Sequence, residues 1–131
     1  MVAIPDSHLD LLGDDLRAFA SLATLMKDGS PQVTPTWFSW DGERIWINTA
    51  QGRVKARNMQ ARPQVALVII DPRNAYRFLQ IRGKVVEITT DGARDHINLL
   101  NNKYHGNPNY PVVLNEVRVI FKIEPEHVNA H

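Results

Sequence analysis

Arg44, Arg53, Lys55, Arg57 and Arg62 place five cations in a segment that carries no Asp or Glu from Arg44 through Ile70. The chain has 15 Lys and Arg in all, so the remainder holds ten against 14 Asp and Glu, a basic island in an acidic background with a formal charge of only +1. Within the island, Thr49, Gln51 and Gly52 lead into a predicted helix. A helix start presents unpaired backbone N–H groups and the positive end of the helix dipole, which together favour a phosphate. Thr49 and Gln51 can add side-chain hydrogen bonds beside them. Arg53 and Arg57 are one helical turn apart and Lys55 falls on a different face, so the cations are not expected to grip one ligand together. The spacing fits a solvated basic face as well as it fits an anion site.

The aromatic residues are the second group able to do chemistry. Trp37, Phe38 and Trp40 crowd one strand and Trp46 stands in the next, so Trp37 shares a face with Ser39 while Phe38 shares the other with Trp40. Some of them are core, and a planar ligand could stack on the rest. The five histidines are scattered. His127 and His131 have helical metal spacing without a third ligand, and no metal site is expected. With no cysteine in the chain, disulfides, thiolate zinc and cysteine nucleophiles are out. Neither a nucleophile elbow, a Walker loop nor a dinucleotide glycine motif occurs, so no catalytic side chain is assigned. A short basic run in a chain of charge +1 is too small a footprint for nucleic acid.

These residues need a scaffold, and 131 residues suffice for one domain, residues 1–131, with a single core. The composition, 44% hydrophobic and 22% charged, is that of a soluble globular chain, not a membrane-spanning one. The opening "MVAIPDSHLD" lacks a basic stretch followed by an apolar run, and the cytoplasm is the expected compartment. Leu9, Leu12, Leu16 and Phe19 recur at helical spacing behind a capping box of Ser7 and Asp10. Short β-rich runs follow, "LATLM", "QVTPTWFSW" and "RIWINT", separated by Asp28-Gly29 and Asp41-Gly42, which suit hairpin turns. "RVKARNMQA" reads as a short helix halted by Pro63. "QVALVII" is apolar enough for a strand buried on both faces, ended by Asp71-Pro72. "YRFLQIRGKVVEITT" is the longest strand, with Gly83 placed for a bulge. A helix through Ile97, Leu100 and Tyr104 and a final strand "VRVIFKIEP" complete the order. About six strands with three interrupting helices predict a mainly β, α+β fold, a small antiparallel barrel.

The segment "TLMKDGSPQVTPTWFSWDGERIWINTAQGRVKARNMQARPQVALVIIDPRNAYRFLQIRGKVVEI", about Thr24 to Ile88, resembles the core of the pyridoxamine 5'-phosphate oxidase-like split β-barrels, most closely their deazaflavin-dependent branch. The resemblance rests on the strand ending in Thr49, the "KARNM" helix, the "DP" after the apolar strand, and "LQIRGKVVEI", in that order. It implies an oxidoreductase that is a homodimer with two cofactor clefts at its interface and a small-molecule substrate. The family's phosphate grip carries over to Arg53, Lys55 and Asn58, with Thr49, Gln51 and Gly52 at the strand-to-helix turn. Pro35, Thr36 and Trp37 match positions that flank the flavin or deazaflavin ring. Ile70, Asp71 and Pro72, and Gln80 with Arg82, match further contacts. The Trp and Arg/His substrate residues of true pyridoxamine phosphate oxidases have no counterpart here, and "GRVKARN" is closer to the deazaflavin pattern. The resemblance therefore implies coenzyme F420 ahead of FMN, with a conjugated or quinone-like hydride acceptor; the alternatives are an FMN-binding oxidoreductase of the same fold and a non-catalytic flavin or deazaflavin carrier. Tyr76, Arg77, Tyr104 and His105 are candidates for the substrate side.

Overall fold

The structure, a computed structural model, describes residues 2–131. Among these residues seven strands form one antiparallel sheet: β1 (Ala20–Leu25), β2 (Pro31–Thr36), β3 (Ser39–Trp40), β4 (Ile45–Ala50), β5 (Gln64–Asp71), β6 (Asn74–Thr89) and β7 (Arg118–Ala130). Helix α1 (Val54–Ala61) follows β4, helix α2 (Ala93–His105) follows β6, and a 3-10 helix (Asp6–Leu12) precedes β1. The strand order is β2-β1-β5-β6-β7-β4-β3. β2 and β3 are joined only by Trp37 and Phe38, yet they occupy opposite edges of the sheet. Three Cα steps reach at most about 11 Å, so the sheet must curl until its edges meet. The result is a split β-barrel.

Local chemistry explains the two hairpins. Gly29 and Gly42 adopt φ of +87° and +96°. The carboxylates before them brace the turns, Asp28 accepting from the Ser30 N–H at 3.0 Å and Asp41 from the Glu43 and Arg44 N–H groups. α1 stops before Pro63, which cannot continue a helix. α2 closes on Gly106 at φ +71°, whose N–H reaches the Asn102 carbonyl. Inside the barrel, Leu22, Leu67, Ile69, Leu79, Ile81, Phe121 and Ile123 face one another fully buried, each worth roughly 1.5–3 kcal/mol.

Four expectations are corrected. The N-terminal segment is a 3-10 helix that ends at Leu12, without the expected cap; Ser7 Oγ instead meets His8 Nδ1 at 2.7 Å. Gly13 departs into extended backbone and Arg17 takes a positive φ of 51°, so Leu16 and Phe19 lie beyond the helix. "QVTPTWFSW" is two strands on opposite edges, broken at Trp37-Phe38. β5 is buried on one face only within the chain: Val65, Leu67 and Ile69 point inward, while Ala66 and Val68 are half-covered and Ile70 is exposed. The last strand also continues beyond Pro125. That residue lacks an N–H, and it lies opposite Gly83, where the β6–β7 register shifts.

The crossover between the edges is held by the end of α2. Lys103 Nζ donates to the Phe38 carbonyl at 2.9 Å. The Phe38 N–H donates to the Tyr104 hydroxyl at 3.3 Å, which donates in turn to the Ala18 carbonyl at 2.7 Å. Trp37 stacks on the Tyr104 ring, centroids 5.2 Å apart and planes 9° apart. Burial pushes the Tyr104 phenol well above its ordinary range and lowers Lys103 to about 8.

Candidate functional site

β4 runs from the core to the start of α1, and it carries Thr49 to a point where the crossover, the α1 turn and the start of β7 converge. There a cleft of about 200 Å³ is lined by Pro35, Thr36 and Trp37, by Asn48 and Thr49, and by Arg53 and Lys55. Phe19, Ile97, Tyr110 and Arg118 complete it. The turn between β4 and α1 is shaped by Gly52 at φ +90° and by the Gln51 N–H, which donates to the Val117 carbonyl at 2.9 Å. Arg53 stands at the N-cap of α1 without a side-chain hydrogen bond to it, leaving the first amides of the helix available.

The electrostatics are lopsided. Arg53, Lys55 and Arg118 line the cleft, and among the described residues the one carboxylate paired with them is Glu116, outside the lining, 3.1 Å from Arg118 and 3.9 Å from Arg53. Among the described residues Lys55 makes no ion pair. Burial, then the charges of Arg53 and Arg118, holds its ammonium below the usual lysine range. Thr49 shares that lining, and among the described residues its buried hydroxyl has no hydrogen-bond partner. An orphaned buried hydroxyl is costly, and an anionic oxygen would satisfy it. A phosphate-bearing ligand therefore fits the residues present.

The basic island divides. Arg53 and Lys55 line one cleft although their spacing puts them on different helical faces, because Arg53 precedes the helix and is free of its geometry, while the island as a whole does not converge. Arg57 is exposed elsewhere. Arg62 turns toward β1 and donates to the Leu25 carbonyl at 2.7 Å. Asn58 does not join the cleft: it is buried, its amide donates to Thr24 Oγ1 at 3.0 Å, and its oxygen accepts from Arg62. Gln51 and Gly52 shape the turn and are exposed.

Ile70, Asp71, Pro72, Gln80 and Arg82 are not brought to the cleft. Asp71 is buried and holds Arg73 and Arg77, whose hydrogen bonds keep its carboxyl far below the usual range. Arg77 also grips Asp10, tying the N-terminal helix to the β5–β6 turn, and Tyr76 is almost fully exposed. Gln80 and Arg82 sit on the outer face of β6 opposite Val68 and Ala66. Pro35, Val33, Ser21 and Ala23 share that outer face through the β1–β2 and β1–β5 pairings. Tyr104 and His105 contact Trp37 from behind. Phe19, Asn48, Ile97, Tyr110 and Arg118 were not anticipated. Asn48 adjoins Thr49 in sequence, but nothing in "NEVRVIF" marks Arg118.

A curled antiparallel sheet with a cationic cleft where its edges close defines a split β-barrel whose lining fits an anion. The family described as Pyridoxamine 5'-phosphate oxidase matches residues 15–131, and the chain belongs to it. No curated protein matches the sequence. Among solved structures, an F420 reductase is 37% identical, with a TM-score of 0.84 over 96% of this chain and 98% of that one. A conserved hypothetical protein of Mycobacterium tuberculosis is 22% identical, TM-score 0.75, over 98% and 85%. HupZ of Group A Streptococcus is 19% identical, TM-score 0.70, over 98% and 94%. The last two share the fold.

Proposed function

We propose that the chain is an oxidoreductase that binds a flavin-type cofactor, coenzyme F420 in particular, and passes hydride from its reduced form to a small conjugated or quinone-like acceptor. The observation that carries the reading is the unpartnered Thr49 hydroxyl buried beside Arg53, Lys55 and Arg118. Membership of the family supports a flavin-type cofactor, and the 37% identical F420 reductase favours the deazaflavin. FMN, the alternative that the resemblance of the motifs implies, is the second reading.

In this reading Arg53, Lys55, Thr49 and the first amides of α1 hold the cofactor phosphate, while Pro35, Thr36 and Trp37 flank its ring. The bound cofactor supplies the hydride. No carboxylate or imidazole lines the cleft among the described residues, so the chain's contribution is placement and exclusion of water. The outer face carrying Pro35, Val33, Val68, Ile70, Gln80 and Arg82 adjoins the cleft mouth at Pro35. We assign it to a second copy of the chain, which would deliver Gln80 and Arg82 of the partner to the site.

The test is equilibrium titration with F420 and with FMN, side by side. F420 is expected to bind the more tightly, and Lys55→Ala to weaken it by about 1.5 to 3 kcal/mol, the worth of a hydrogen bond to a charged group. Tighter FMN binding would move the assignment to FMN, and wild-type affinity in Lys55→Ala would reject the grip.

A further inference from the structure

Ser39, His96 and Asn48 stand in the order of a nucleophile, a base and an orienting group. Ser39 Oγ lies 2.8 Å from His96 Nε2, and His96 Nδ1 lies 3.1 Å from Asn48 Nδ2. The far end of the chain decides its polarity. Arg118 Nε, which can only donate, meets Asn48 Oδ1 at 2.9 Å, and the Asn48 amide nitrogen donates to the Ala93 carbonyl at 2.8 Å. The amide nitrogen therefore faces His96, whose Nδ1 must accept. The ring proton then sits on Nε2 and is donated to Ser39. This is the wrong tautomer for activating a serine.

The same polarity makes sense as support for Arg118. Its guanidinium is held by Asn48 at Nε, by Glu116 at Nη1 (3.1 Å) and by the Tyr110 ring, 5.3 Å from Cζ. Among the described residues Nη2 bonds to nothing in the protein. The side chain is only 8% exposed and lines the cleft with Lys55 and Thr49. Such a buried guanidinium with one edge left over is oriented for a ligand anion.

We propose that Ser39, His96 and Asn48 form a positioning relay that aims Arg118 into the cleft as its third anion-binding cation, receiving a phosphate oxygen of the ligand through Nη2. This rests on the reading of the cleft as a phosphate site. Asn48 and Arg118 are 70 residues apart, and their coupling can be measured.

The experiment is calorimetric binding of inorganic pyrophosphate to the full chain, wild type, Arg118→Lys, Asn48→Leu and the double variant. Arg118→Lys keeps the charge but cannot use the Nε bond. Each single change is expected to weaken binding about tenfold or more, as loss of a charge-assisted hydrogen bond does. The double variant is expected to lose no more than about twofold beyond either single one, since Asn48 acts only through Arg118. Fully additive losses would overturn the relay. If Asn48→Leu does not fold, the wild-type Arg118 Nε–H nuclear magnetic resonance signal takes its place. It is expected to exchange slowly and to shift on adding pyrophosphate, and an unperturbed signal would overturn the proposal. A coupled cycle without affinity for F420 or FMN would leave the relay standing and reject the cofactor reading. Cofactor binding with an additive cycle would reject the relay alone.

Discussion

His96 shows how burial gives one residue its chemical state. It is 6% exposed, and burial, then the charges of Lys122, Arg118 and Lys103, lowers its pKa from 6.5 to about 4. Unfolding returns the imidazole toward 6.5, so below that pH the unfolded chain takes up a proton the folded chain refuses. The stability this group carries is complete above about pH 6.5 and falls as pH drops toward 4, by on the order of 3 kcal/mol. Denaturant unfolding at pH 7.5 and 4.5 should show the loss, and His96→Gln should lose much less between the same two pH values. Equal losses in both proteins would mean that another group titrates. Lys55 is lowered in the same way, by burial first and then by Arg53 and Arg118, and a bound anion would offset that shift.

At the scale of elements, the long pair β6–β7 is the backbone of the barrel and Gly83 is its tightest point. A Cβ there would come within 2.3 Å of the Glu124 carbonyl oxygen and 3.1 Å of its carbon, atoms of the β7 main chain that cannot swing aside. Gly83→Ala is therefore expected to destabilise the protein by about 2 to 3 kcal/mol, seen as a lower denaturant midpoint with an unchanged slope. A midpoint equal to wild type would show that β7 yields at the bulge. The sequence marked this glycine for a bulge because nothing else interrupts so long an alternation. It could not mark the break at Trp37-Phe38, where alternation continues unbroken through two strands. That break is imposed by barrel closure and pinned by Lys103 and Tyr104.

The whole molecule exposes an apolar sheet face that one chain does not cover. Val33 is 64% and Ile70 42% exposed, with Val68 and Ala66 between them on the same side. We expect a two-fold dimer through this face, with more than roughly 2,000 Å² buried in total. Sedimentation at micromolar concentration should give twice the chain mass of 14.9 kDa. Val68→Glu, an outward position that leaves the core intact, should give the monomer and weaken cofactor binding with it. A wild-type monomer would contradict both the interface and its part in the cleft.

The sequence by itself determined the elements and their punctuation: the Asp-Gly hairpins, α1 ending at Pro63, α2 on its Ile97, Leu100 and Tyr104 face, and the longest strand with its bulge. These follow from dihedral preferences and side-chain periodicity within a few residues, which a single chain displays openly. The resemblance of its motifs reached further and placed Pro35, Thr36, Trp37, Thr49, Arg53 and Lys55, which do line one cleft. Only the tertiary structure decided the strand order and the separation of β2 from β3. It also turned Asn58 inward, left Gln80 and Arg82 on the outer face, and brought Arg118 beside Lys55. The reason is physical: which distant strands pair depends on how their apolar faces are buried together, and no local pattern encodes that choice.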